Sequence, residues 1–189
     1  MTPIHVWSGN GCIGLHDLPR RIRLLDLPNT LRLNPYYKNQ AEKLYKFQDP
    51  VIHTSQSRFD NRQLLKVNQT ILLNEPSIHV IAVTERDSRH SDEYWLTDSL
   101  EHILTSARLC RNTVVVIVDL IRINKSARNI KTRRRIRQVV TRFGDVAKRI
   151  DAAVQLRSNE LDEFGLTDAG SKLVVEMIIQ HLHDSSKHF

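Results

Sequence analysis

Two apolar runs constrain the fold most: Ile78-His79-Val80-Ile81-Ala82-Val83 and Thr113-Val114-Val115-Val116-Ile117-Val118. Both are rich in β-branched residues and neither alternates with polar ones. A strand of this kind is buried on both faces, which requires a parallel sheet with helices packed on each side. A helical pattern follows each run. After the first, Leu96, Leu100, Ile103, Leu104 and Ala107 share one helix face, with Ser91 or Asp92 placed to cap it. After the second, Ile136, Val139, Val140, Phe143, Val146, Ala147 and Ile150 read as the stripe of a helix from about Thr132 to Ile150. Strands alternating with helices predict an α/β domain with right-handed crossovers.

The rest of the chain fits the same plan. Ile4-His5-Val6-Trp7 reads as a first strand stopped by Ser8-Gly9-Asn10-Gly11. A helix is predicted from His16 to Leu27, and the Pro- and Asn-rich stretch 28–50 as an irregular connection. Val51–Thr54 is a second short strand, and Asp60 can cap a helix carrying Leu64, Val67, Ile71 and Leu72. Ala152–Leu156 reads as the last strand. Thr167 is placed to cap a final helix whose face holds Leu173, Val174, Met177, Ile178 and Leu182. The expectation is one domain over residues 1–189, a three-layer sandwich around five parallel strands.

Composition excludes several classes. The chain is 40% hydrophobic and 26% charged, as globular domains are. It has no apolar run of about 18 residues and no signal-peptide core, which predicts a cytosolic protein without a membrane partner. Cys12 and Cys110 form no disulfide framework and read as buried thiols. The histidines at 5, 53, 79, 90 and 102 are scattered, and His181, His183 and His188 lack helical metal-ligand spacing. No Gly-rich phosphate loop with a lysine is present, so no cofactor is expected.

Charge is distributed unevenly. The net charge is +7. Residues 120–150 hold eleven Lys or Arg against one acid, Asp145, while the remainder holds 17 bases against 20 acids. One segment thus carries the whole basic excess, a pattern that suggests a polyanionic partner. Arginine is suited to RNA, because its guanidinium forks phosphate oxygens and stacks on bases. In open parallel sheets ligands bind outside the carboxyl ends of the strands. The loops predicted at that edge carry Arg58, Arg86, Arg122 and Arg157. With Lys125, Arg128, Arg134 and Arg137 of the basic segment, and Arg20, Arg21 and Arg23 near the N-terminus, they are the candidate RNA-binding residues. A solvated basic helix without a ligand is the competing reading of the segment.

A short loop before the last helix reads Asp162-Glu163-Phe164-Gly165-Leu166-Thr167-Asp168-Ala169-Gly170. It resembles the closing block of the SGNH (GDSL-type) hydrolases, where an Asp-x-x-His loop supplies two members of a Ser-His-Asp triad. Asp162 keeps the Asp position, and Gly165 stands where the family has His. The family's first strand ends in Gly-Asp-Ser; here the aligned residues are Gly9-Asn10-Gly11, which puts Gly11 at the nucleophile. Arg58 and Arg86 fall at the two oxyanion-donor positions. Ser8 is the one candidate for a displaced nucleophile, and an esterase built on it needs a base that the alignment does not supply.

The resemblance implies the five-stranded SGNH sandwich without its hydrolase chemistry. Triad-less members of that family in germ plasm bind RNA. For this chain the resemblance therefore implies a non-catalytic, cytoplasmic RNA-binding module. Its partners would be mRNA and germ-granule proteins in ribonucleoprotein granules. A protein-interaction scaffold meeting an acidic partner is the alternative without RNA.

Overall fold

The computed structural model describes residues 4–7, 67–72, 78–89, 92–110, 113–123, 126–162 and 165–186. Within them lies a parallel sheet of four strands in the order β1 (Ile4–Trp7), β2 (Ile78–Thr84), β3 (Val114–Leu120), β4 (Ala147–Ile150). Helix α1 (Glu85–Ser88) follows β2 directly, α2 (Trp95–Leu109) joins β2 to β3, and α3 (Ala127–Arg142) joins β3 to β4. After β4 come α4 (Ala152–Gln155), the small antiparallel pair β5 (Leu161–Asp162) and β6 (Gly165–Leu166), and α5 (Asp168–Ser186).

The two long apolar runs form the centre of the sheet, as their composition requires. In register, Ile78 faces Val114, Ile81 faces Ile117 and Val83 faces Asp119. One face of the sheet presents Ile81, Val83, Val115, Ile117 and Ala147. It packs on Leu96, Leu100, Ile103, Leu104 and Ala107 of α2 and on Ile136, Val139 and Val140 of α3. The other face presents Val80, Ala82, Val116, Val118 and Ile150 to Val174, Val175 and Ile178 of α5. Both crossovers run the same way across the sheet and lay their helices on the same side, as crossovers of one hand must. The result is an α/β domain with a helical layer on each side.

Several expectations change. Four parallel strands, not five, are present among the described residues; Val51–Thr54 lies outside them. Ala152–Leu156 is not a strand. Its first four residues form α4, in keeping with alanine's helix preference. The strand at that edge is Ala147–Ile150, just before it in the chain. The basic helix starts at Ala127 and ends at Arg142, so Val146, Ala147 and Ile150 belong to the turn and to β4. Ser126 caps this helix, its hydroxyl accepting from the Asn129 N–H at 3.4 Å. Helix α2 has Tyr94 at its N-cap with no side-chain cap bond, while Asp92 accepts from the Tyr94 N–H at 2.9 Å. Residues 67–72 are helical, with Val67 and Ile71 buried as predicted and Leu72 exposed. Thr167 caps α5 as expected: its hydroxyl accepts from the Gly170 N–H at 3.2 Å and donates to the Asn159 carbonyl at 2.9 Å. Gly170 is required there, because a Cβ would collide with the Glu160 carbonyl and lie 2.7 Å from its carbon.

Between β1 and β2 three rings stack in the core. His5 lies on His79 with centroids 4.8 Å apart, and Trp7 Nε1 donates to His79 Nδ1 at 3.1 Å. That bond requires an unprotonated Nδ1. Burial lowers the His5 pKa to about 4. Burial, and then the proximity of His5, holds His79 well below its ordinary value.

Two measurements check this packing. Phe143 is buried against both α2 and α3 residues, and Phe143→Ala should destabilise by about 3–5 kcal/mol in urea unfolding. The buried histidines are neutral when folded, so the unfolded chain binds more protons between pH 6.5 and about 4. Stability is full above that window and falls as pH drops through it, by up to about 1.4 kcal/mol per pH unit for each histidine. The melting temperature should fall accordingly, and His5→Leu should flatten the dependence.

Candidate nucleic-acid interface

The carboxyl end of the sheet is built around Asp119, near the end of β3 and fully buried. Its Oδ1 accepts from the Ile121 N–H at 3.0 Å, and its Oδ2 accepts from Arg149 Nε and Nη2 at 3.1 and 2.5 Å. Arg149 stands on β4, one strand over, and points to the same face. From α3, Arg133 donates to the Ile121 carbonyl and to Asp151 Oδ1, both at 2.6 Å, and sits 3.7 Å from Asp119. Arg149 also meets Asp151 at 3.2 Å. Two carboxylates and two guanidiniums thus neutralise one another, Asp119 fully buried and Asp151 partly exposed. Burial pushes the Asp119 carboxyl up, against the pull of Arg133 and Arg149.

This arrangement changes the reading of the basic segment. Arg149 is not on a helix and does not point to solvent. Arg133 is buried. Other bases of the segment also have acidic partners, supplied mostly from outside it. Lys131 meets Glu93 at 2.7 Å, Arg135 meets Glu93 at 3.6 Å, and Arg142 meets Glu101 at 2.5 Å. Lys148 is half-buried on β4 and reaches the Gly144 carbonyl at 3.4 Å. Much of the charge excess seen along the sequence is matched across the fold.

Two described arginines without an acidic partner lie on the outer face of α3. Arg134 and Arg137 are exposed, one turn apart, and make no ion pair or hydrogen bond among the described residues. Helix α3 contains no acid. Arg128, in its first turn, is half-buried.

A second basic feature is a groove of about 370 Å³ beside α4, lined by Arg122, Ile123, Val154, Leu156, Arg157 and Leu161 among others. The sequence placed Arg122 and Arg157 at one edge, and the fold brings them to one groove. It also distinguishes them. Arg122 Nε donates to Glu85 Oε1 at 2.9 Å, and Glu85 is buried at the start of α1. Arg157 is exposed; its backbone N–H donates to Glu160 Oε2 at 2.8 Å. Ile123 and Val154 are 62% and 58% exposed, so the groove is apolar as well as basic.

Arg86 lies in α1, directly after β2, at the edge expected. Arg20, Arg21, Arg23, Arg58 and Lys125 fall outside the described residues, as do Ser8, Gly11 and Cys12. Cys110 is a buried thiol that donates to the Ile71 carbonyl at 3.6 Å. At the closing loop, Asp162 and Gly165 pair across β5 and β6. No protein family, characterised protein or solved structure matches this chain. Among the described residues no group of three or more His, Cys, Asp or Glu could hold a metal ion, and no helix is long and apolar enough to cross a membrane.

The two kinds of arginine should respond differently to substitution. Asp119→Ala leaves buried guanidiniums short of charge and should cost about 3–5 kcal/mol in urea unfolding. Arg122→Glu sets two carboxylates together at Glu85 and should lower the melting temperature. Arg134→Ala and Arg137→Ala should each stay within about 0.5 kcal/mol of the parent.

Proposed function

We propose that this chain is a non-catalytic RNA-binding module, a pseudo-hydrolase on an SGNH-like plan. The observation that carries the reading is the outer face of α3. Arg134 and Arg137 project to solvent from an acid-free helix, and no carboxylate among the described residues pairs with them. Such a face attracts a phosphate backbone, releases its counterions and binds with strong salt dependence. The groove holding Arg122 and Arg157 offers a second contact, with the exposed Arg157 as its available cation. Among the described residues neither site sets a histidine beside a hydroxyl or thiol, the pairing that acyl transfer would use.

The resemblance supports the same reading. Gly11 and Gly165 stand at the nucleophile and base positions of the SGNH pattern. A basic, triad-less SGNH domain is similar to the C-terminal domain of Oskar, the insect germ-plasm organiser. By that resemblance the ligand would be mRNA, and the setting cytoplasmic germ granules with their proteins.

The exposed Ile123 and Val154 favour one second reading, a protein partner with acidic and apolar residues. RNA binding measured by anisotropy over a range of salt, with such a peptide as competitor, separates the two. Arg134→Glu with Arg137→Glu should weaken RNA binding and reduce the log–log salt slope by about 0.7 for every phosphate no longer neutralised. The melting temperature should stay unchanged. Arg157→Glu should act in the same direction. A folded variant carrying all three changes that binds RNA like the parent overturns the assignment.

A further inference from the structure

The start of α2 meets the outer side of α3 through an aromatic residue. Tyr94 precedes α2 and is 48% exposed. The Arg135 guanidinium carbon lies 3.8 Å from its ring centroid, and Lys131 Nζ lies 5.9 Å away. Arg135 is itself largely covered, with 17% of its side chain exposed, and it reaches Glu93. Glu93 in turn holds Lys131 at 2.7 Å. The ring is therefore fixed from one side by a largely covered cation, and what it exposes is a preoriented aromatic surface. Beside it is a depression of about 520 Å³ lined by Glu93, Ala127, Arg128 and Lys131. Ile130 is exposed on the neighbouring face of α3, one turn before Arg134.

These residues have the chemistry of a stacking platform. An aromatic face held rigidly loses little entropy when a planar ligand covers it. A guanidinium beneath the ring holds it in place by cation–π attraction. Arg128, Lys131 and Arg135 outnumber the single Glu93 carboxylate that Lys131 and Arg135 meet, so the rim is net basic and suits a flanking phosphate. Bases in a duplex are already stacked on one another and cannot use such a surface; unpaired bases can.

We infer that Tyr94, backed by Arg135, stacks an unpaired base, and that the α3 surface accordingly selects single-stranded over duplex RNA. This rests on the reading of α3 as an RNA-binding face and adds to it a base-stacking site and a strand preference. A purely structural role for Tyr94, as a clamp between α2 and α3, is the competing account.

The test is anisotropy with a short single-stranded RNA and a duplex of the same length, at one salt concentration, with melting temperatures measured alongside. Tyr94→Ala should weaken single-strand binding by about ten- to a hundred-fold, with duplex binding and melting temperature unchanged. Tyr94→Phe should retain parental binding. Arg134→Glu with Arg137→Glu should weaken binding to both RNAs. If Tyr94→Ala loses its fold, Tyr94→Leu keeps bulk without a π face, and it should bind single strands more weakly than Tyr94→Phe. Equal binding by the Leu and Phe variants overturns the inference. So does a folded Tyr94→Ala that binds single strands like the parent, or that loses both RNAs in equal proportion. In those cases the RNA-binding reading survives. A parent protein that binds neither RNA removes that reading and this inference together.

Discussion

The buried carboxylate of Asp119 is the interaction on which the basic half of the fold depends. It sits near the end of a central strand with no exposed surface. An unpaired charge there would be prohibitive, so guanidiniums must come to it. Arg149 arrives from the neighbouring strand and Arg133 from the helix that crosses between them. β3, β4 and α3 are thereby tied at the sheet edge where parallel α/β domains hold their ligands. Arg133, bonded to the Ile121 carbonyl and to Asp151, ties α3 to that edge at one point along its stripe.

That anchoring divides the arginines of α3 into two populations with different physics. Arg133 is interior and non-negotiable. Arg134, next to it in sequence, faces water with no local acid to pair with. Arg135 is turned towards Tyr94. Three consecutive arginines therefore point in three directions, as the rotation of about 100° per residue dictates. Only one of the three adds to the electrostatic face, so a count of basic residues overstates the charge that a polyanion would meet.

The core strands are legible in the sequence because each is apolar on both faces. The α2 stripe is equally plain, with all five predicted residues buried. The end of α3 is not, because the stripe continues through the turn at i+3 and i+4 spacing into Val146, Ala147 and Ile150. Gly144-Asp145, a turn signal inside that stripe, marks the real boundary. Ala152–Leu156 resembles a strand on the strength of its apolar run, although its alanines prefer a helix. At the candidate interface, topology alone places Arg122 and Arg157 at one edge. It does not pair Arg149 and Arg133 with Asp119, since that cluster joins residues distant in sequence. Tyr94 gives no signal either: its partners Lys131 and Arg135 lie roughly forty residues on and meet it only across two helices.

The interior charge cluster also separates two responses to ionic strength. Mobile ions screen exposed charges well and buried ones poorly. Asp119, Arg133 and Arg149 are shielded from them, whereas Arg134, Arg137 and Arg157 are not. Concentrated salt would strip a polyanion from the surface while leaving the helix that presents it in position. A polyanion held there would be released and reloaded by ionic conditions alone, with the domain folded throughout.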